Sequence, residues 1–91
     1  MPAIKMIVKG RVQGVGFRYT TKMLADQLNV KGLVKNLDDG SVYIEAQAPS
    51  EVLEQFIAKV KASPSPAGYV SDASVTPIPE NNYTRFNVTY Y

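Results

Sequence analysis

Residues 3–29 read AIKMIVKGRVQGVGFRYTTKMLADQLN, and the fold turns on how the period of this stretch changes. At its start the side chains alternate, with Ile4, Met6 and Val8 on one side and Lys5, Ile7 and Lys9 on the other. A period of two is that of a strand with one greasier face. Gly10–Gly16 (GRVQGVG) ends the alternation, because three glycines after Lys9 let the backbone bend without Cβ hindrance. From Phe17 the period lengthens. Phe17, Thr21, Leu24 and Leu28 recur at spacings of four, three and four and predict an amphipathic helix running to Asn29.

The rest of the chain extends this pattern. Residues 31–37 (KGLVKNL) predict a second strand, weakened by Gly32, and Asp38, Asp39 and Gly40 form a hairpin turn signal. Residues 41–47 (SVYIEAQ) alternate again, with Val42, Ile44 and Ala46 inward. A second helix opens at Pro49–Glu51, with Ser50 expected as N-cap, Glu51 and Glu54 favouring the positive end, and a buried stripe of Leu53, Phe56, Ile57 and Val60. Ser63–Gly68 (SPSPAG) breaks it. Residues 69–76 (YVSDASVT) predict a strand stopping at Pro77, and Arg85–Tyr90 (RFNVTY) a last short one, after a polar loop at Pro79–Tyr83. The order is β-α-β-β-α-β plus a short C-terminal strand. Right-handed crossovers place both helices on one face of an antiparallel sheet, an α+β, ferredoxin-like split βαβ sandwich. The other face is left partly open, with Lys5, Lys9, Tyr43 and Glu45 on it.

Composition narrows the chemistry. A chain of 91 residues is expected to form a single domain, 1–91, burying roughly 60–65% of its unfolded surface. Any site must then be a shallow cleft built from loops. Hydrophobic content of 45% and charged content of 20% read as soluble and globular, with no membrane span and no signal-peptide pattern at Met1–Gly10. A net charge of +2, spread over scattered Lys and Arg, does not point to nucleic acid. There is no Cys and no His, which removes thiol and imidazole nucleophiles, the commonest general base and most transition-metal sites. The lack of Cys fits a cytoplasmic protein. Asp38 and Asp39 read as solvated turn residues, not metal ligands, and no metal or organic cofactor is expected. Ser63 and Ser65 read as loop residues, and Tyr90 and Tyr91 as strand-face packing.

Two segments carry chemistry. The loop from Gly10 to Gly16 can converge its N–H groups into an anion nest, and it leads into a helix N-terminus that also attracts anions. Arg18 follows in the first turn, where a cation is poorly placed for the helix dipole, so another task is expected. A planar guanidinium beside a nest is a phosphate clamp. The loop lacks the Gly-Lys-Ser/Thr ending of a P-loop and the third glycine of a dinucleotide fingerprint. Asn36 can orient a water with its amide, but by itself it reads as a turn residue.

Taken together, Gly10 followed by Val12-Gln13-Gly14-Val15-Gly16-Phe17-Arg18, and the run Gly32-Leu33-Val34-Lys35-Asn36-Leu37-Asp38-Asp39-Gly40-Ser41-Val42, closely resemble the two signatures of the acylphosphatase family. The resemblance extends over the whole chain. It implies hydrolysis of small acyl phosphates to a carboxylate and inorganic phosphate, with Arg18 binding the phosphate and Asn36 placing the water. The amides of Gln13, Gly14, Val15, Gly16 and Phe17 would form the phosphate cradle. The partners implied are the acyl phosphate substrate and the phosphate product, with no nucleic acid, no membrane and a monomeric state. Leu33 stands where a Trp is common in the family and Asn29 where a Gly is common, departures that bear on stability. One alternative is a non-catalytic ferredoxin-like module binding small molecules or RNA, but the open face offers Tyr43 alone among aromatics of the first and third strands. Another is a carbamoyl-phosphate-handling domain of a larger maturation protein, against which the length from Met1 argues.

Overall fold

The structure, a computed structural model, describes residues 1–90; the expectation for Tyr91 lies outside them. The elements are β1 (Ala3–Arg11), α1 (Phe17–Leu28), β2 (Lys31–Asn36), β3 (Val42–Gln47), α2 (Ser50–Lys61), β4 (Tyr69–Ile78) and β5 (Phe86–Thr89). The strands form one five-stranded sheet in the order β4-β1-β3-β2-β5.

The period-two segments bury their apolar side. Met6, Val8, Val34, Val42, Ile44 and Ala46 are fully buried and meet Phe17 and Ala25 of α1, and Leu53, Phe56 and Val60 of α2. Both helices therefore lie on one face, α1 over β2 and β5 and α2 beside α1 and β4. Phe56 and Phe86 close the core with ring centroids 6.0 Å apart in a tilted arrangement. Ile57 and Leu24, expected in the buried stripes, sit at the core's margin.

The sheet is mixed, not wholly antiparallel as expected. Pairings β1–β3, β1–β4 and β2–β3 are antiparallel, but β5 runs parallel to β2. The reason is topological. The chain leaves β4 at the end of the sheet where β1 begins, crosses to the far edge, and can only return in the direction of β2. Side chains fix that crossing: Gln47 and Asn81 exchange bonds of 3.1 and 2.9 Å, and the Tyr83 hydroxyl donates to Glu45. Tyr43 donates to the same carboxylate at 2.6 Å, and burial followed by this bond pushes both phenols up to about 12.

Four local expectations are corrected. Ser50 is the first residue of α2, and Pro49 holds the cap position, its carbonyl accepting the Leu53 N–H at 2.9 Å with no side-chain cap. A proline there has no N–H left to satisfy. Glu51 lies in the first turn, but Glu54 lies beyond it. Strand β4 continues through Pro77 to Ile78, which an edge strand permits because the missing donor can sit on its unpaired side. Gly32 does not weaken β2. A Cβ there would stand 1.9 Å from the Glu45 carbonyl oxygen, so glycine is what lets β2 and β3 approach. Asn29 caps α1 in the left-handed region (φ 59°, ψ 40°), which asparagine adopts more readily than most residues, and the Val30 N–H closes back on Ala25 at 2.8 Å.

This topology sends the ends of β1, β2 and β5 to the same end of the sheet. Arg11, Asn36 and Thr89, the last residues of those strands, all lie at that end.

Candidate functional site

The loop leaving β1 is held at both ends by buried apolar anchors, Val12 and Phe17. Between them Gly14 and Gly16 both have φ +75°, a left-handed backbone that other residues adopt only under strain. A Cβ at either would meet nothing within 4 Å, so conformation and not crowding calls for glycine. Gly16 is also the N-cap of α1. No side chain caps the helix, and no acidic residue lies in its first turn. The start of α1 thus presents N–H groups and positive dipole to the space in front of the loop.

Arg18 in the first turn of α1 is oriented from β5. Its Nη1 donates to the Thr89 carbonyl at 3.2 Å, and its guanidinium lies 4.8 Å from the centre of the Tyr90 ring. One of five guanidinium N–H donors is used this way, and the fork stays directed by two contacts. Tyr90 does not pack on a strand face; it is 76% exposed and serves as a platform for Arg18.

Asn36 ends β2. The hairpin that follows is closed without it: the Leu37 N–H donates to Ser41 at 2.8 Å, and the Asp39 carboxylate accepts from the Ser41 amide at 3.0 Å and from its hydroxyl. The Ser41 hydroxyl, and then its amide, hold the Asp39 carboxyl below its ordinary range. The Asn36 side chain makes no hydrogen bond among the described residues, and its Oδ1 is buried without a partner. A turn-stabilising asparagine would be bonded to its own turn, and this one is not.

Gly14, Gly16, Arg18 and Asn36 line one cleft of about 170 Å³, with Tyr19 and Tyr90 at its rim. The fold thus brings together four of the residues that the sequence singles out. Of the other loop positions, Phe17 is buried and can offer only its amide, and the Gln13 side chain turns to the hairpin, donating to Leu37 O at 2.8 Å and Ser41 O at 2.9 Å. A second, shallower opening of about 660 Å³ adjoins Asn36 and Tyr90 and carries Lys35 and Asp38. A groove of about 380 Å³ between α1 and the end of α2 stands apart from Arg18 and Asn36, with Lys59 as its one charged lining residue. No group of three or more metal-ligating His, Cys, Asp or Glu side chains occurs among the described residues. Among them, too, no helix is long and apolar enough to cross a membrane.

Ser65, which reads from sequence as a plain loop residue, is a contact of the glycine loop. It is 3% exposed and its hydroxyl donates to the Val15 carbonyl at 2.6 Å. That contact occupies one loop carbonyl with a buried donor. Ser65, Thr89 and Tyr90 lie far from the loop in sequence, and no local pattern marks them.

The acylphosphatase family model matches residues 4–88. A curated acylphosphatase of Pediococcus pentosaceus is 58% identical over 90 residues, covering 99% of this chain and 100% of that protein. The crystal structure of acylphosphatase from Bacillus subtilis superposes with a TM-score of 0.94 at 45% identity, covering 99% of this chain and 100% of that one. Full-length HypF, in a phosphate- and nucleotide-bound form, contains a similar unit, with a TM-score of 0.86 at 28% identity over 97% of this chain but only 12% of that chain.

Proposed function

The chain belongs to the acylphosphatase family and is an enzyme of acyl phosphate hydrolysis, and from that premise we propose that Arg18 and the amides of Gln13–Phe17 hold the phosphoryl group while Asn36 places the attacking water. The observation that carries this reading is the shared cleft. An unbonded amide, a directed guanidinium and an uncapped helix start face the same small space.

The chemistry suits a site without imidazole or thiol. An acyl phosphate is a mixed anhydride whose leaving group is a stable carboxylate, so expelling it needs little acid catalysis. The difficulty lies in bringing water in line with phosphorus against negative charge. Positioning and charge neutralisation supply that. In this reading the loop amides and two guanidinium N–H groups take the equatorial oxygens. The Asn36 side-chain amide orients the water so that a lone pair on the water oxygen points at phosphorus. The water oxygen bonds to phosphorus as the bond to the carboxylate oxygen breaks, and the water's proton passes to a phosphoryl oxygen. The shallow cleft leaves the acyl group loosely read, so broad acyl specificity is expected.

The reading is tested by hydrolysis of benzoyl and acetyl phosphate by the pure protein in EDTA. Turnover of both at undiminished rate is expected. Loss on chelation with recovery on adding a divalent ion would overturn the metal-independent part, and no turnover at all would overturn the assignment.

Inorganic phosphate, as product, is expected to compete with substrate and to raise the melting temperature. A ligand bound only by the folded state at ten times its Kd stabilises by about 1.4 kcal/mol. For a domain of this size that is about 6–11 °C. The check is a thermal melt in phosphate against chloride at matched ionic strength. Equal melting temperatures would speak against an anion site in the loop.

A further inference from the structure

The two halves of the site come from separate segments, and one side chain joins them. Gln13 Nε2 bonds Leu37 O and Ser41 O, at 2.8 and 2.9 Å. Leu37 directly follows Asn36. Both carbonyls also take backbone donors within the hairpin, Gly40 N–H at 3.2 Å on Leu37 O and Leu37 N–H at 2.8 Å on Ser41 O. The neck of the β2–β3 hairpin is therefore tied to the glycine loop by the Gln13 side-chain amide, beyond the last β1–β3 pairing at Val8 and Val42.

The rest of each half is fixed independently of that amide. The loop keeps Val12 and Phe17 buried at its ends and Ser65 on its Val15 carbonyl. The hairpin keeps its own closure through Leu37, Asp39 and Ser41. Removing the Gln13 amide would leave both pieces built and loosen the distance between them. In-line attack is sensitive to that distance, since a misplacement of about 1 Å can cost about a hundredfold in rate.

We propose that Gln13 is a positioning residue for turnover, its side-chain amide setting where Asn36 stands relative to the phosphate cradle. This rests on the reading of Asn36 as the group that places the water. The backbone amide of Gln13 belongs to the cradle; the proposal concerns its side chain, which reaches the reacting atoms only through Asn36.

The experiment is a double-mutant cycle. Gln13→Met keeps the length without a donor, and Gln13→Leu keeps comparable bulk without one. Each is measured alone and combined with Asn36→Ala, for kcat on benzoyl phosphate and for the inhibition constant of inorganic phosphate. In each single Gln13 variant, kcat is expected to fall about ten- to a hundredfold. Phosphate affinity is expected to stay within about twofold, and kcat should fall no further when Asn36→Ala is already present. A loss that adds to that of Asn36→Ala would overturn the proposal, as would unchanged kcat or a loss confined to phosphate affinity. Failure of both Gln13 variants to fold would show that the bond serves the fold alone, and would overturn it too. Full turnover in Asn36→Ala by itself would instead overturn the reading of Asn36, and the proposal with it.

Discussion

Replacing Asn36 with Ala is expected to lower kcat about a hundred- to a thousandfold while the protein stays folded and still binds phosphate. The size is that of losing one preorganised polar group at a reacting centre. The preserved fold follows from the structure. The Asn36 side chain bonds nothing among the described residues, and the hairpin beside it is closed by Leu37, Asp39 and Ser41. Its buried Oδ1 has no partner, and a buried acceptor without a donor costs stability, so truncation removes a cost as well as a contact. The melting temperature of Asn36→Ala should accordingly match or exceed that of the parent. A residue that serves turnover at the expense of stability shows this combination. The measurements are kcat, the phosphate inhibition constant and a thermal melt. Lost phosphate affinity would move Asn36 into the cradle, retained kcat would remove it from the mechanism, and a marked fall in melting temperature would return it to a structural role.

Much of this was legible in residues 3–47, and the physical reason is locality. Strand alternation in Ile4, Met6 and Val8 and the longer period from Phe17 are set by neighbours in the chain, and they survive folding unchanged. So does the conformational demand at Gly14 and Gly16, which a glycine signals by itself. What could not be read locally is set by contacts across the fold. The parallel placement of β5 depends on which edge of the sheet β4 occupies. Ser50 looked like a cap because its type prefers one, yet Pro49 already fixed the entry of the chain. Ser65 carries no base and lies in a serine–proline loop, so nothing near it in sequence reveals that it faces the Val15 carbonyl. Arg18 and Asn36 fall between these cases. Their residue types and spacing single them out, but only the sheet, by ending β2 and β5 beside the β1 loop, brings them to one cleft.

Arg18→Lys is expected to be nearly as damaging as Arg18→Ala, and the reason is geometry more than charge. A phosphoryl group in transfer spreads its charge over three equatorial oxygens. A guanidinium meets two of them with parallel N–H bonds in one plane, whereas an ammonium is a point charge on a flexible stem. In this site the plane is set in advance: one N–H is held by the Thr89 carbonyl at 3.2 Å, and the ring of Tyr90 lies 4.8 Å from the guanidinium. A lysine cannot keep the carbonyl bond, lie flat on the ring and reach two oxygens at once. Loss of one preorganised donor at a developing charge costs about 3–4 kcal/mol, two to three decades in rate. A displaced donor should lose most of the same amount. A solvated arginine at the start of a helix predicts something quite different, a stability change of less than about 0.5 kcal/mol and no kinetic effect. The measurement is kcat/KM on benzoyl phosphate for both variants, with circular dichroism to establish that they are folded. Near-parental activity in Arg18→Lys would mean that charge alone matters at this position. Activity retained in Arg18→Ala would remove Arg18 from the phosphate site altogether, leaving the helix start and the glycine loop to bind the anion by themselves.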